Sequence, residues 1–503
     1  MPRRIIGGFK ALNVLALSFV IGGCIGTHAI APQGSALPID GLATDQAIQS
    51  AARDARWPTS QWWRAYADPQ LNRLIELAVE GSPSLAMAAA RVRQAKALAG
   101  LAESAEAAQV QGTASLARHA WPNDQFYGPG ALADTRTWDN NAALGLSYPL
   151  DFWGQDRNAT EQALDTAHVS VAQQRQAQLE LQENIVRAYI QLSLNYAQLD
   201  IVEAMLGQQT QLLELAERRL KGGLGTHLQV SEAESVLPET HRQVDALEEA
   251  IALGRNQLAA LAGKGPGEPV AAQRPSLSLG TAIHLPSALP AQLLGQRPDV
   301  VASRWAVAAQ ARGIDVAHAG FYPNVDLIGS LGYMATGGGM LEFLTGKKLT
   351  YKVGPAISLP IFDGGRLRAQ LGDASAQYDI AVAQYNQTLV MALKSISDQL
   401  IRRESMDKQQ RFATESVASA QKTYDIAMVA YRRGLTDYLS VLNAQTLLFR
   451  QQQIRQQVEA ARLTVYAGLV VALGGGLSAG EDTPSDEQTQ APKTPASLAV
   501  FDQ

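Results

Sequence analysis

The pattern of apolar and polar positions divides most of the chain into very long helices joined by short alternating segments. Residues 157–221 contain no proline and a single internal glycine, Gly207; residues 366–433 repeat this with Gly372 alone. At 1.5 Å per residue each is a rod of roughly 100 Å, too long for a globular core. Within the first rod Ile185, Tyr189, Leu192, Tyr196 and Leu199 follow 4-3-4-3 spacing, and Val202, Leu206, Leu213 and Leu220 continue it after one three-residue step. That is the seam of a coiled coil.

Between the rods the period changes to two. Ala142, Leu144, Leu146 and Tyr148 share one face against Ala143, Gly145 and Ser147, and Tyr351, Val353, Ile357 and Leu359 alternate with Lys352, Gly354, Ala356 and Ser358. Weaker alternation marks residues 109–118 and 324–333. Segments of about ten residues with one apolar and one small or polar face have the length of tilted membrane-crossing strands. Phe152, Trp153, Phe321, Tyr322 and Phe362 fall where strands meet helices; Trp121, Phe126, Tyr127, Trp138 and Tyr333 fall toward the loops. Two such bands suit the interfacial girdles of an outer-membrane barrel, a soluble sandwich with aromatic turns being the alternative.

The chain is internally duplicated. Tyr148–Gly154 (YPLDFWG) matches Leu359–Gly365 (LPIFDGG) at an offset of 211, and the same offset pairs Gly223-Leu224 with Gly434-Leu435, Leu228 with Leu439, Val230 with Val441 and Ala233 with Ala444. Residues 70–262 and 291–474 are therefore two copies of one unit: helix, strand, loop, strand, very long helix, glycine-containing turn, helix. Four strands cannot close a barrel, and an open edge does not survive in hydrocarbon, so the chain must oligomerise. Two, three or four copies satisfy that arithmetic.

Composition narrows the function. Of 503 residues 46% are hydrophobic, and 42 Lys plus Arg against 47 Asp plus Glu give a net charge of −5, with no basic footprint for nucleic acid. The single cysteine excludes an internal disulfide and Cys-rich metal sites, and no metal-binding histidine spacing, nucleophile elbow or Walker loop is present. No cofactor, metal site or enzymatic activity is expected. Arg3, Arg4 and Lys10 precede the apolar run 11–21, and Ile21-Gly22-Gly23-Cys24 resembles a bacterial lipobox. Residues 1–23 read as a signal peptide and Cys24 as the acylated first residue of the mature chain; with Ile25 next, that resemblance implies sorting to the outer membrane. An ordinary signal peptide followed by a stray thiol is the alternative.

With Gln61–Leu71 (QWWRAYADPQL), Tyr148–Gly154, Gln296–Val300 (QRPDV) and Leu359–Gly365 in this order, the sequence resembles the outer-membrane efflux proteins of the TolC/OprM type, and among them the NodT-type lipoproteins. The resemblance implies an α+β membrane protein: a homotrimer with one twelve-stranded β-barrel in the outer membrane, four strands per chain, continued by a long periplasmic α-helical barrel. Residues 24–69 would be the lipid-anchored segment and part of an equatorial belt, 263–290 a connector in that belt, and 475–503 a flexible tail rich in Pro, Ser, Thr and acids. The implied role is a passive exit duct for small molecules in a tripartite pump, partnered by itself, a periplasmic adaptor, an inner-membrane transporter and membrane lipid. A duct for type I protein secretion is the rival within the class. A lipid-anchored periplasmic adaptor or scaffold is the rival outside it.

By the same resemblance Gly223, Leu224 and Gly225, with Gly434, Leu435 and Thr436, form adaptor-docking turns, and residues just beyond them line a closed aperture. Here the expected charges are replaced by Ser440, Asn443 and Thr446 beside Leu439, and Gln229 stands where an aspartate is frequent, with Glu232 following. The expectation is an aperture set by a Leu439 ring and by amide and hydroxyl groups, with weak ion selectivity.

Overall fold

The computed structural model describes residues 30–37, 58–122, 134–268, 270, 273–279 and 297–476. Cys24, the signal segment, Phe126, Tyr127, Gln296 and the tail beyond Gly476 lie outside them. After a 3-10 turn, Trp62–Tyr66, come α1 (Pro69–Gly81), α2 (Pro83–Ala105), β1 (Gln109–Ala120), β2 (Arg136–Pro149), α3 (Gln155–Lys221), α4 (His227–Ser235) and α5 (Leu237–Leu261). The second half supplies α6 (Pro298–Ala319), β3 (Asn324–Thr336), β4 (Leu349–Ser358), α7 (Arg366–Arg432) and α8 (Tyr438–Ala472). No helix among the described residues is long and apolar enough to cross a membrane.

Both α3 and α7 have 67 residues, and both ends of one match both ends of the other at the offset of 211. Upstream the offset is 215, since α2 and β1 begin at residues 83 and 109 and α6 and β3 at 298 and 324. The difference is absorbed in the first hairpin, which is four residues longer. The return helix α8 is continuous from residue 438 to 472, whereas its counterpart is split at Val236 into α4 and α5. Pro238, which lacks an N–H and crowds the preceding turn, accounts for the break.

The four strands form one antiparallel sheet in the order β1-β2-β3-β4. Registers such as Val110 opposite Leu146, Leu144 opposite Leu331 and Leu331 opposite Tyr351 put one consistent set of side chains on each face. One face carries Val110, Leu116, Leu144, Leu146, Leu331, Tyr351, Val353 and Ile357, all exposed. The other carries Gln111, Thr113, Ser115, Asn141, Ser147, Ser330 and Lys352. This is the lipid-out, water-in division of a membrane barrel wall. At the helix end of the sheet Trp153 stacks on Tyr322 with ring centroids 4.6 Å apart and donates its Nε1–H to the Pro323 carbonyl at 2.9 Å.

Beneath each strand hangs a helix. In the upper layer α2 packs on α3, α3 on α6 and α6 on α7; farther down the neighbours are α5, α3, α8 and α7. Ile185, Tyr189, Leu192 and Val202 are fully buried, as the heptads require, whereas Tyr196 and Leu199 between them are half-buried. Below them the seam departs from the expected Leu206, Leu213 and Leu220, which are half-buried. It runs instead through Gln209, Leu212 and Ala216, because α3 is flanked there by both α5 and α8 and preserves the seven-residue step from Val202.

The Gln61–Leu71 motif forms the core halfway down the rods. Trp62, Trp63 and Tyr66 pack with Ile185 and Tyr189 of α3, Leu258 of α5 and Leu463 and Ala467 of α8. Tyr66 Oη donates to the Leu463 carbonyl at 2.8 Å. Asp68 caps α1 with one carboxylate oxygen; the other accepts from Tyr189 Oη at 2.9 Å and the Ser276 N–H at 2.8 Å, fastening the connector to α3. Arg297, from the Gln296–Val300 motif, donates to the Ala472 carbonyl at 2.6 Å and closes the end of α8.

Candidate functional site

Water-facing sheet residues continue downward into a polar helix wall. A cavity of about 560 Å³ at the junction is lined by Gln155, Gln162, Gln310, Asn324, Gln370 and Gln377 among others. Each rod begins there in the same way. Asp151 accepts the N–H groups of Gln155 and Arg157 at 2.7 and 2.9 Å, and Asp363 those of Gly365 and Leu367 at 2.9 and 2.8 Å. A carboxylate at a helix N-terminus satisfies otherwise unpaired N–H groups and the helix dipole, which explains the Asp in both copies of the strand-to-helix motif. Those bonds hold the Asp363 carboxyl below the ordinary aspartate range. Gly154 and Gly365, 211 residues apart, take φ +74° and +88° to make the bend.

At the far end both rods reverse through the same turn. Leu224 N–H donates to the Arg219 carbonyl at 2.8 Å and Leu435 N–H to the Ala430 carbonyl at 2.9 Å, with Gly223 and Gly434 at φ +71° and +75°. This is the glycine C-cap expected where a helix must end abruptly. The turns leave Leu224 and Leu435 each 76% exposed, with Leu228 and Leu439 exposed one turn on. Gly225 and Thr436 complete the two turns, and a Cβ added to Gly225 would crowd the Leu220 backbone.

The predicted aperture residues separate into two groups. Gln229 takes a structural part: it forms a capping box with Thr226, the two residues exchanging backbone-to-side-chain bonds of 3.2 and 3.3 Å. Ser440 is its counterpart, donating both N–H and Oγ–H to Asp437 Oδ1 at 2.9 and 2.6 Å. These bonds, the hydroxyl first, lower the Asp437 carboxyl from its ordinary range. Leu439, Asn443 and Thr446 are exposed along one stripe of α8, which continues to Arg450. Thr446 Oγ donates to the Leu442 carbonyl at 2.8 Å. Glu232 is half-buried on α4, near enough to Tyr438 to help raise its phenol.

Sequence reasoning missed the cluster behind the turns. Tyr431 and Tyr438 are buried edge to face at 6.1 Å with Leu212, Ala233 and Val441. Arg219 of α3 crosses to α7, donating to the Tyr431 carbonyl at 3.0 Å while its guanidinium lies 4.8 Å from the Tyr431 ring centroid. One cation thus joins the last turn of α3 to the C-terminus of α7, where orphan carbonyls and the helix dipole favour it. Burial pushes the Tyr438 hydroxyl up to about 12. Asp437 was readable as an N-cap with serine three residues on; Arg219 was not, because its partner lies 212 positions away.

The description "Outer membrane efflux protein" belongs to the family that matches residues 74–264 and 289–475. The chain is 45% identical over 486 residues to the fusaric acid resistance protein FusA of Burkholderia cepacia, covering 96% of this chain and 91% of that one. It is 29% identical over 469 residues to the pyoverdine export outer membrane protein OpmQ of Pseudomonas aeruginosa, covering 93% and 97%. Among solved structures, the outer membrane protein VceC of Vibrio cholerae superimposes with a TM-score of 0.78 at 34% identity, covering 84% of this chain and 100% of that chain.

Proposed function

This chain belongs to the outer membrane efflux protein family, and from that premise we propose that it is the passive exit duct of a tripartite pump for small organic molecules. Three copies close a twelve-stranded barrel, with the polar sheet face and the glutamine-rich wall forming one continuous water-filled channel. The observation that carries this reading is the position of the free edges. The sheet ends at β1 and β4, and the helix layer beneath it ends at α2 and α7, the elements directly attached to those strands. A single closure therefore pairs both layers at once, which an adaptor or scaffold would not require.

Cys24 carries the lipid anchor. The exposed leucines of the two turns, at positions 224, 228, 435 and 439, receive a periplasmic adaptor, and an inner-membrane transporter supplies the energy. Leu439, Asn443 and Thr446 face the aperture, braced from behind by Arg219 and Tyr431. FusA is named for resistance to fusaric acid and OpmQ for pyoverdine export, which supports small-molecule cargo over secreted protein. Purified protein should run as a trimer by native mass spectrometry and give long-lived conductance steps in planar bilayers. A monomer without conductance would overturn the reading.

A further inference from the structure

The lipid-side face of the sheet ends in cations. On β1 and β2 the even-numbered residues Val110, Leu116, Leu144 and Leu146 lie on that face, and the same alternation puts Arg118, opposite Trp138, and Arg136, opposite Ala120, at its outer end. Tyr148 and Trp138 bracket the face on β2. They are ten positions apart, which is about 33 Å along the strand and, at a tilt of about 40°, roughly 25 Å along the membrane normal. That is the height of the apolar band of a barrel, so Arg118 and Arg136 stand at the level of the outer headgroups. The Arg118 guanidinium lies 5.8 Å from the Trp138 ring centroid, with the aromatic ring at the interface where such rings settle.

The connection from β3 to β4 folds back onto the same face. Gly337 and Gly338, at φ +103° and +77°, turn the chain, and Asn140 Nδ2 donates to the Met340 carbonyl at 2.7 Å. Asn140 shares its register row with Leu116 and Ala335, which places that contact on the lipid side. Phe343 is buried where the 3-10 turn Glu342–Leu344 packs on β3. Met340, Leu341 and Leu344 stay exposed, followed by Lys347 and Lys348 in the turn Gly346–Lys348 and by exposed Leu349 at the start of β4.

Among the described residues none of Arg118, Arg136, Lys347 and Lys348 makes an ion pair. Of the carboxylates at this end, Glu342 accepts the Gly339 N–H at 2.8 Å, Asp139 accepts from Thr336 Oγ at 3.0 Å on the water-facing side, and Asp134 precedes β2. In a chain of net charge −5, such a cluster above an apolar loop fits an anion held at headgroup depth. The apolar side chains beside the cations favour a lipid over a free anion or an acidic peptide. We propose that Arg118, Arg136, Lys347 and Lys348 bind the phosphate groups of lipopolysaccharide in the outer leaflet, with its acyl chains against Met340, Leu341, Leu344 and Leu349. The proposal rests on the reading of this sheet as part of an outer-membrane barrel.

The test titrates purified full-length protein, freed of bound lipid in mild detergent, with lipopolysaccharide and with the same lipid after enzymatic removal of its phosphates. Dephosphorylation should weaken binding about tenfold or more. The combined variant Arg118→Gln, Arg136→Gln, Lys347→Gln and Lys348→Gln should weaken binding of the intact lipid by a similar factor while keeping the SDS-resistant oligomer and the conductance. Lys352→Gln, on the water-facing side of β4, should bind as the unaltered protein does. Conductance reports on the duct and titration on the lipid site, so failure of the one reading is distinguishable from failure of the other. Equal binding of the dephosphorylated lipid by the unaltered protein would overturn the proposal whether or not the combined variant folds. So would undiminished binding by a conducting variant, or binding to phosphatidylglycerol vesicles as tight as to lipopolysaccharide.

Discussion

Asp165 is a buried carboxyl in the contact between α3 and α6, with one oxygen lacking a hydrogen-bond partner. Burial pushes it up to about 6, against the opposing pull of Arg312 and with Glu161 adding repulsion. The folded chain therefore holds this proton more tightly than the unfolded chain, whose aspartate titrates near ~3.9. The stability that protonated Asp165 contributes is full below about pH 4 and is lost as pH rises through about 6. Asp165→Asn should raise the thermal midpoint at pH 7.5, by up to about 2–3 kcal/mol of stability, and by clearly less at pH 5. Equal gains at both pH values would contradict it. The same resolution applies at the tip. On the proposed placement of Asn443 at the aperture, Asn443→Asp adds one carboxylate per copy there and should give cation preference in bilayer reversal potentials. Arg219→Ala should leave the Tyr431 carbonyl only its backbone bond from the Gly434 N–H, remove the link between α3 and α7, and enlarge the conductance of the resting channel; an unchanged conductance would remove Arg219 from the brace. Asn443 and Thr446 could be singled out from sequence because the family resemblance marks the residues just beyond the glycine turn. Arg219 and Asp165 could not, since each is defined by a partner on another helix.

Elements were more legible than their partners. Period two located all four strands, yet it stopped short at their outer ends: β3 runs to Thr336 and β1 to Ala120, beyond the expected 333 and 118, while Leu359 lies past the end of β4. Pairing with a neighbour extends a strand past the residues whose own alternation is visible. The reason for a small residue at position 332 is likewise non-local. A Cβ on Gly332 would come within 2.5 Å of the Ala143 Cα on β2, directly opposite in the register. Gly332→Val should force β2 and β3 apart and abolish the SDS-resistant oligomer on unboiled gels, whereas Gly354→Val on β4, where nothing approaches, should preserve it. Comparable loss in both would mean that bulk in the lumen, not strand approach, is what the barrel resists. The rods show the converse limit. Their length was set by the absence of proline, but the buried stripe below Val202 depends on having α8 on one side and α5 on the other, which no single-helix pattern contains.

At the scale of the molecule the deciding fact is an unfinished wall. Met87, Leu98 and Leu101 are exposed on α2, at one edge of the helix layer, and Ile380, Val390 and Met391 are exposed on α7 at the other. Water does not stabilise such stripes, so each is expected to meet its complement on a neighbouring copy. Their separation into two different edges makes the contact head-to-tail, and a head-to-tail contact closes as a ring only at a fixed rotation per copy. Leu98→Glu with Leu101→Glu places charge in that seam while leaving the α2–α3 contact and the sheet face untouched. The variant should fold, reach the membrane fraction and appear as monomer by native mass spectrometry without conductance. A conducting trimer would show that the sheet edges β1 and β4 hold the ring together without the helices. That outcome would shift the driving force for assembly from the water-exposed rods to the bilayer, where an unpaired strand edge is most costly.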